Sequence, residues 1–224
     1  MTTVTTTAPA GVLAALLPPH VHCAESFGDP SEERLLPLEA AYIQDRSPRR
    51  RRQFATARAL ARQALGALGH PPVPLLPGPG GAPRWPVGVT GSITHTDGYT
   101  ACAVAGTGRL TSLGIDAEPA RPLPRGVLQL VSSASERGGL AALPEGQAPW
   151  DTVLFSAKEA AYKAVHPLTG TWAPLAAIAV TVHADGTFTA RHPHLPAVRT
   201  GSWGVHRGTV VTALALPASR AAAA

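Results

Sequence analysis

The sequence predicts an α+β protein, and three observations carry that expectation. Residues from about Arg49 to Leu68 repeat small and apolar side chains at helical spacing, with Phe54, Ala57, Ala61, Ala64, Leu65 and Leu68 on one face. A second stretch, opened by Trp150, contains Phe155-Ser156-Ala157-Lys158-Glu159-Ala160-Ala161-Tyr162-Lys163, which is rich in Ala, Lys and Glu and free of Gly and Pro. Short β-rich runs bounded by Gly and Pro surround both helices.

Taken in order, Met1 to Ala10 is Thr- and Ala-rich and expected to fray. A first strand is expected to end near His22-Cys23-Ala24-Glu25, and Ser31-Glu32-Glu33 reads as a helix start with acidic residues suited to a first turn. Ser47-Pro48 introduces the arginine-rich helix, Gly69 stops it, and residues 70–84 form a Pro/Gly loop. Strands near 88–94, 100–105 and 111–117 lead to a helical region at 124–142 and a loop at 144–149. Asp151 is the expected N-cap of the second long helix. The tail reads as antiparallel strands near 176–183, 186–191, 200–206 and 209–216.

Composition bounds the function. A chain of 224 residues with 45% hydrophobic side chains can build a real core, which argues against global disorder. Cys23 and Cys102 are far apart and lack metal-ligand spacing, so they are read as reduced thiols of a cytoplasmic protein. Val12 to Leu17 is a short apolar run without a preceding basic region, and nothing approaches the roughly 20 apolar residues of a membrane span.

Two lysines stand against seventeen arginines, and both lysines fall inside the second helix. An ammonium group is a compact point charge on a flexible stem, whereas a guanidinium is a rigid fork. At about 100° per residue, Phe155, Lys158, Glu159, Tyr162 and Lys163 share an arc of roughly 140°. An ordinary amphipathic helix would instead bury Phe155 and Tyr162 and pair Glu159 with Lys163 for about 0.2–0.5 kcal/mol. Upstream, Gly114-Ile115-Asp116-Ala117-Glu118 sets two carboxylates at i,i+2, which share one face of a strand. With Glu159 as a third oxygen donor, Asp116 and Glu118 suit Mg2+, or Mn2+, which keeps waters and completes its shell with substrate phosphate. Gly91-Ser92-Ile93-Thr94-His95 offers backbone amides, a hydroxyl and an imidazole to an anion.

These three motifs in this order resemble the 4'-phosphopantetheinyl transferases, of the larger single-chain type related to the surfactin and enterobactin synthetase activating enzymes. The resemblance runs from Leu16-Leu17-Pro18-Pro19 to His166-Pro167-Leu168-Thr169-Gly170. It implies two similar α/β halves related by a pseudo-two-fold, residues 1–110 and 111–224, with the active site in the cleft between them. It also implies an activity: transfer of the 4'-phosphopantetheine group of coenzyme A to a serine of an apo acyl or peptidyl carrier protein. Asp116, Glu118 and Glu159 would hold the metal, and Glu159 would serve as general base. Lys158 and Lys163 would neutralise the leaving group, while Ser92 and His95 contact phosphate. Tyr162 and Trp172 would border the pantetheine arm. Arg50 and Arg58 are the carry-over candidates for the 3'-phosphate, with Arg51 and Arg52 competing with Arg50. Relatives often carry a lysine in the loop before the Trp-Pro pair; here Pro77 to Pro83 has none, and Arg84 is the nearest cation.

The remaining charge points to the partner. Arg46, Arg49, Arg50, Arg51, Arg52, Arg58 and Arg62 cluster within one helix and its lead-in, and the net charge is +5, so an acidic carrier protein is expected. A nucleic-acid module is the tempting alternative, but the chain has no recognisable motif of that kind, and aromatic residues are only 5% of it. A metal-dependent phosphohydrolase using His95, Asp97, Asp116 and Glu118 is the second alternative. The expected protein is a monomeric cytoplasmic enzyme with no membrane or nucleic-acid partner.

Overall fold

A computed structural model of the chain describes residues 11–30 and 34–218. Residues 1–10 and the Ser31-Glu32-Glu33 helix start lie outside the described residues. The elements run α1 (Val12–Leu16), β1 (His22–Phe27), α2 (Pro37–Ile43), α3 (Pro48–Ala67), β2 (Val89–Thr96), β3 (Tyr99–Gly106) and β4 (Leu110–Pro119). They continue with α4 (Val127–Val131), α5 (Ala134–Ala141), α6 (Trp150–Thr169), β5 (Ala179–Val182), β6 (Thr187–His192), β7 (Leu195–His206) and β8 (Thr209–Pro217). Two antiparallel sheets form, one ordered β1-β3-β2 and one ordered β4-β8-β7-β6-β5. The α+β expectation holds, and each sheet carries one long helix, α3 on the first and α6 on the second.

Local chemistry explains the boundaries. Ser47 caps α3 by accepting from the Arg50 amide at 3.3 Å, with Pro48 in the first turn where its missing N–H costs nothing. Ala61, Ala64 and Leu65 then bury against Ala24, Cys102 and Val104. The helix ends before Gly69, whose φ of +81° favours glycine. Helix α2 starts at Pro37, where the Leu36 amide donates to the Glu39 carboxylate at 3.0 Å. That carboxylate is buried and also accepts from the Leu75 amide and from Arg62, so it binds α2, α3 and the proline loop together.

Two expectations are corrected. The helical region at 124–142 is two short helices, because Ser133 and Glu136 form a reciprocal capping box that restarts the helix. Asp151 is not the N-cap of α6: Pro149 holds that position, and Asp151 sits in the first turn. Its carboxylate accepts from the amides of Leu123 and Thr152, which ties the segment after β4 to the positive end of the helix.

The sheets meet along β2 and β4. There the Ile115 amide donates to Ser92 Oγ at 3.2 Å, and the Thr94 hydroxyl donates to Asp116 Oδ1 at 3.4 Å. One core also spans both sheets, since Leu13 and Leu17 pack with Tyr99 and Ala101 on one side and Ile115 and Val211 on the other. No helix among the described residues is long and apolar enough to cross a membrane.

Helix α6 lies on β4 with almost no gap. A Cβ at Gly114 would overlap the Ala160 carbonyl oxygen and come within 2.5 Å of the Ala164 nitrogen. Both obstacles are backbone and cannot rotate away. Gly114→Ala should therefore destabilise the protein by about 1–3 kcal/mol or more in chemical denaturation. Gly66→Ala, on the exposed side of α3 with open space around it, should stabilise by about 0.5–1 kcal/mol. Equal, small effects at both positions would show that the helix is not seated on the strand as described.

Candidate active site

The close seating of α6 on β4 brings three motifs to one place. Alternation along β4 turns Asp116 and Glu118 to the same face. Helix α6 adds Ser156, Glu159 and Lys163, and β2 adds Thr94 and His95. Asp116 is buried and held by three hydrogen bonds: Oδ1 accepts from Lys163 Nζ at 2.6 Å and from Thr94, and Oδ2 accepts from Ser156 Oγ at 2.9 Å. Lys163 therefore pairs across elements with Asp116, not along the helix with Glu159. A desolvated carboxylate attracts an ammonium more strongly than one on a wet helix surface.

The other two carboxylates are under-compensated. Burial, followed by the negative charge of Asp116, pushes Glu118 up to about 7, with Lys163 opposing and Glu159 adding to the shift. Glu159 is also pushed up, by burial first and then by Asp116. Among the described residues no three His, Cys, Asp or Glu side chains close into a metal cage. The donor set is nonetheless all oxygen, which suits a hard divalent ion whose shell is completed by water and substrate.

His95 adds a neutral donor. Its Nε2 lies 2.8 Å from Arg50 Nη1, and because guanidinium can only donate, Nε2 must accept and the ring proton sits on Nδ1. Desolvation by the packed cleft, reinforced by Arg50 and Lys163, holds this imidazole below the usual histidine range.

Three cavities meet around these groups. One of about 390 Å³ is walled by Tyr42, Arg46, Arg50, Phe54 and Arg58, with His95 at one end. A second, about 450 Å³, lies between residues 80–83 and the Glu159, Tyr162, Lys163 and His166 side of α6. The third, about 620 Å³, is bordered by Arg49, His95, Asp97, Glu118, Arg121 and Leu123. Gly81, Pro83 and Ile93 are shared by the first two, and His95 by the first and third.

Arg58 borders the same cavity as Arg50 but is largely buried. Its Nε donates to the Leu75 carbonyl at 2.6 Å, and its guanidinium lies 4.0 Å over the Phe54 ring. Burial lowers it to about 10, which still leaves it charged at neutral pH.

Several sequence expectations fall elsewhere. The hydroxyl of Ser92 is spent on the Ile115 amide at the seam, although the residue borders the second cavity. Gly91 lies under Trp85, where a Cβ would come within 2.8 Å of that ring, and also borders the second cavity. Trp172 is 69% exposed and borders none of the three cavities. Arg84 packs its stem against Gly78, also away from all three.

Known proteins are similar to this chain over most of its length. The family model of the 4'-phosphopantetheinyl transferase N-terminal domain matches residues 38–105, and that of the 4'-phosphopantetheinyl transferase superfamily matches residues 112–215. The transferase Svp of Streptomyces mobaraensis is 46% identical over 221 residues, covering 92% of this chain and 90% of the relative. PptT of Mycobacterium tuberculosis is 40% identical over 221 residues, covering 92% of this chain and 97% of the relative. Npt of Nocardia iowensis is 47% identical over 161 residues, 72% of each. This chain belongs to the 4'-phosphopantetheinyl transferases, of the larger single-chain type. It is a transferase enzyme.

In this phosphopantetheinyl transferase the two motif lysines have separate surroundings. Lys158, expected in the cleft, is 0% exposed and faces the opposite way. Its ammonium lies 2.7 Å from Glu136 Oε1 and donates to the carbonyls of Ile178 and Leu175 at 2.6 and 3.2 Å. Three N–H groups thus meet three acceptors. The arc that contained Lys158 was wide enough for its edge to turn inward, toward α5 and β5. The residues that sequence reasoning missed are Ser156, Thr94 and Glu136. Only Glu136 left a signal, the Ser-x-x-Glu spacing of its capping box.

Lys158→Met leaves Glu136 without its cation and should cost about 3–5 kcal/mol in denaturant unfolding. The double change Lys158→Met with Glu136→Gln should recover part of that loss, because no uncompensated charge remains. Lys158→Arg should also destabilise, since a planar fork cannot meet three acceptors arranged around a point charge. Wild-type stability in Lys158→Met would refute the pairing.

Proposed function

We propose that this enzyme transfers the 4'-phosphopantetheine group of coenzyme A to a serine of an apo acyl or peptidyl carrier protein, releasing adenosine 3',5'-bisphosphate. The observation that carries the reading is the Asp116, Glu118, Glu159 and Lys163 cluster, with Glu118 at the open cavity, Glu159 and Lys163 at the second cavity, and His95 linking the open cavity to the arginine-lined one. All three relatives bear the name 4'-phosphopantetheinyl transferase, which supports it. The nucleotide end of coenzyme A occupies the arginine-lined cavity, with Arg50 and Arg58 toward the 3'-phosphate. His95 and Lys163 face the pyrophosphate, and Tyr162 borders the pantetheine arm.

Asp116, Glu118 and Glu159 would hold magnesium or manganese. Such an ion, when bound, supplies Lewis-acid stabilisation of charge on the pyrophosphate. The carrier serine enters from the cavity bordered by Arg121, whose charge suits an acidic partner. Glu159 accepts the serine proton, a role its raised affinity for a proton favours. The serine oxygen bonds to the β-phosphorus, and the bridging oxygen departs with its electron pair on the α-phosphate. Lys163 neutralises that charge; Lys158, committed to Glu136, takes no part. The two sheet-and-helix layers are read as halves related by a pseudo-two-fold, divided near residue 110, in a cytoplasmic monomer.

Mass spectrometry of an apo carrier protein incubated with coenzyme A, magnesium and this enzyme tests the reading. The expected result is one phosphopantetheine group gained on serine, lost in Asp116→Ala, whose circular dichroism should stay that of a folded protein. Cleaved coenzyme A beside an unmodified carrier would indicate the phosphohydrolase alternative, and neither product would overturn the proposal.

A further inference from the structure

We infer that Thr212 and Ser156 are positioning residues: a buried chain of hydroxyl groups runs from β8 through α6 to Asp116 and fixes which way its carboxylate faces. The consequence for catalysis rests on the phosphopantetheine-transfer reading given above.

The chain follows from the register of the sheet. Thr212 on β8 stands directly opposite Asp116 on β4, so both side chains leave the same face, and α6 lays Ser156 against that face. Ser156 Oγ lies 2.9 Å from Asp116 Oδ2 and 2.9 Å from Thr212 Oγ1, and Thr212 Oγ1 is also 2.9 Å from the Ser156 carbonyl oxygen. Ser156 and Thr212 are fully buried.

The positions of the protons give the chain a direction. The Asp116 carboxylate, paired with the Lys163 ammonium, accepts, so the Ser156 proton points to it. Ser156 Oγ can then receive only from Thr212, whose single proton is shared between that oxygen and the Ser156 carbonyl. The order is therefore Thr212 to Ser156 to Asp116. A hydroxyl that accepts while it donates is the stronger donor.

The other carboxylate oxygen shows what the chain is for. Oδ1 is held by Lys163 Nζ at 2.6 Å, and Lys163 borders the second cavity, so Oδ1 is the oxygen turned toward the cleft. The terminal torsion of an aspartate is broad. Lys163, on a flexible stem and 29% exposed, would by itself let the carboxylate follow its ammonium. Thr212 lies on a strand paired on both sides, with β4 and with β7, and an anchor on Oδ2 from that strand leaves Oδ1 in one place. Packing gives no reason for the two hydroxyls. Alanines 157, 160, 161 and 164 already make the buried side of α6, and alanine or valine would fill these two positions without desolvating a polar group.

Steady-state transfer to an apo carrier protein, together with titration calorimetry of magnesium into enzyme saturated with coenzyme A, tests the chain in wild type, Ser156→Ala, Thr212→Val and Thr212→Ser. Thr212→Val keeps the volume and removes the hydroxyl; Thr212→Ser keeps the hydroxyl and removes the methyl. Ser156→Ala should lower kcat and magnesium affinity by about tenfold or more, with KM for coenzyme A within about twofold of wild type. Thr212→Val should move the same two quantities in the same direction by about threefold or more, and Thr212→Ser should restore them. A purely structural contact predicts the reverse order, since Thr212→Ser leaves the larger void. Wild-type kcat and magnesium affinity in Thr212→Val, or equal losses in Thr212→Val and Thr212→Ser, would overturn the inference, and this pair decides even if Ser156→Ala does not fold. If the wild-type enzyme modifies the carrier and binds magnesium while every variant matches it, only this inference fails. If the wild-type enzyme does neither, the functional reading fails and this inference with it.

Discussion

The backbone of α6 rests on Gly114, and the rest of the site depends on that contact. Any side chain at this position of β4 would meet the Ala160 carbonyl and the Ala164 nitrogen, so the helix approaches only because a hydrogen atom stands there. Alanines at 157, 160, 161 and 164 keep the facing side of the helix equally thin. The small residues of the two motifs are therefore half of the chemistry. They set the distance at which Glu159 and Lys163 from a helix share a volume with Asp116 and Glu118 from a strand.

Charge is divided just as sharply. One lysine faces inward to a carboxylate and two carbonyls and holds α5 and β5 against α6. The other, five residues along, faces the cleft and holds Asp116. Both positions need a compact ammonium, and the two lysines of an otherwise arginine-based chain stand at them. The arginines serve planar contacts instead: stacking on Phe54, pairing with Asp97 and Glu39, and lining the cavity beside α3.

Much of this was legible in the sequence, for identifiable reasons. Helix α3 could be read because its apolar spacing, Ser47-Pro48 start and Gly69 stop agree. The strands could be read because turns punctuate them, and Asp116 and Glu118 could be placed on one face because strand periodicity is two. Lys158 could not be placed: a helical arc of roughly 140° is wider than the cleft side of the helix, and its inward edge depends on Glu136, which is distant in sequence. Ser92 and Gly91 look like phosphate-loop residues, yet they serve the seam and Trp85, a packing that depends on which strand lies alongside.

The central physical claim is that the three carboxylates are an incomplete site, finished by the substrate. Glu118 and Glu159 are held near one another and near Asp116 without enough positive charge, yet they form no closed cage among the described residues. An ion bound there would complete its shell with water and a phosphate chain. Thermal unfolding with magnesium alone, with coenzyme A alone and with both tests this directly, because a ligand that binds only the folded state raises its stability. Magnesium alone should raise the midpoint little, and the two together should raise it by more than the sum of their separate effects, with the excess lost in Asp116→Asn. A full magnesium shift without coenzyme A, or the same excess in Asp116→Asn, would contradict the claim.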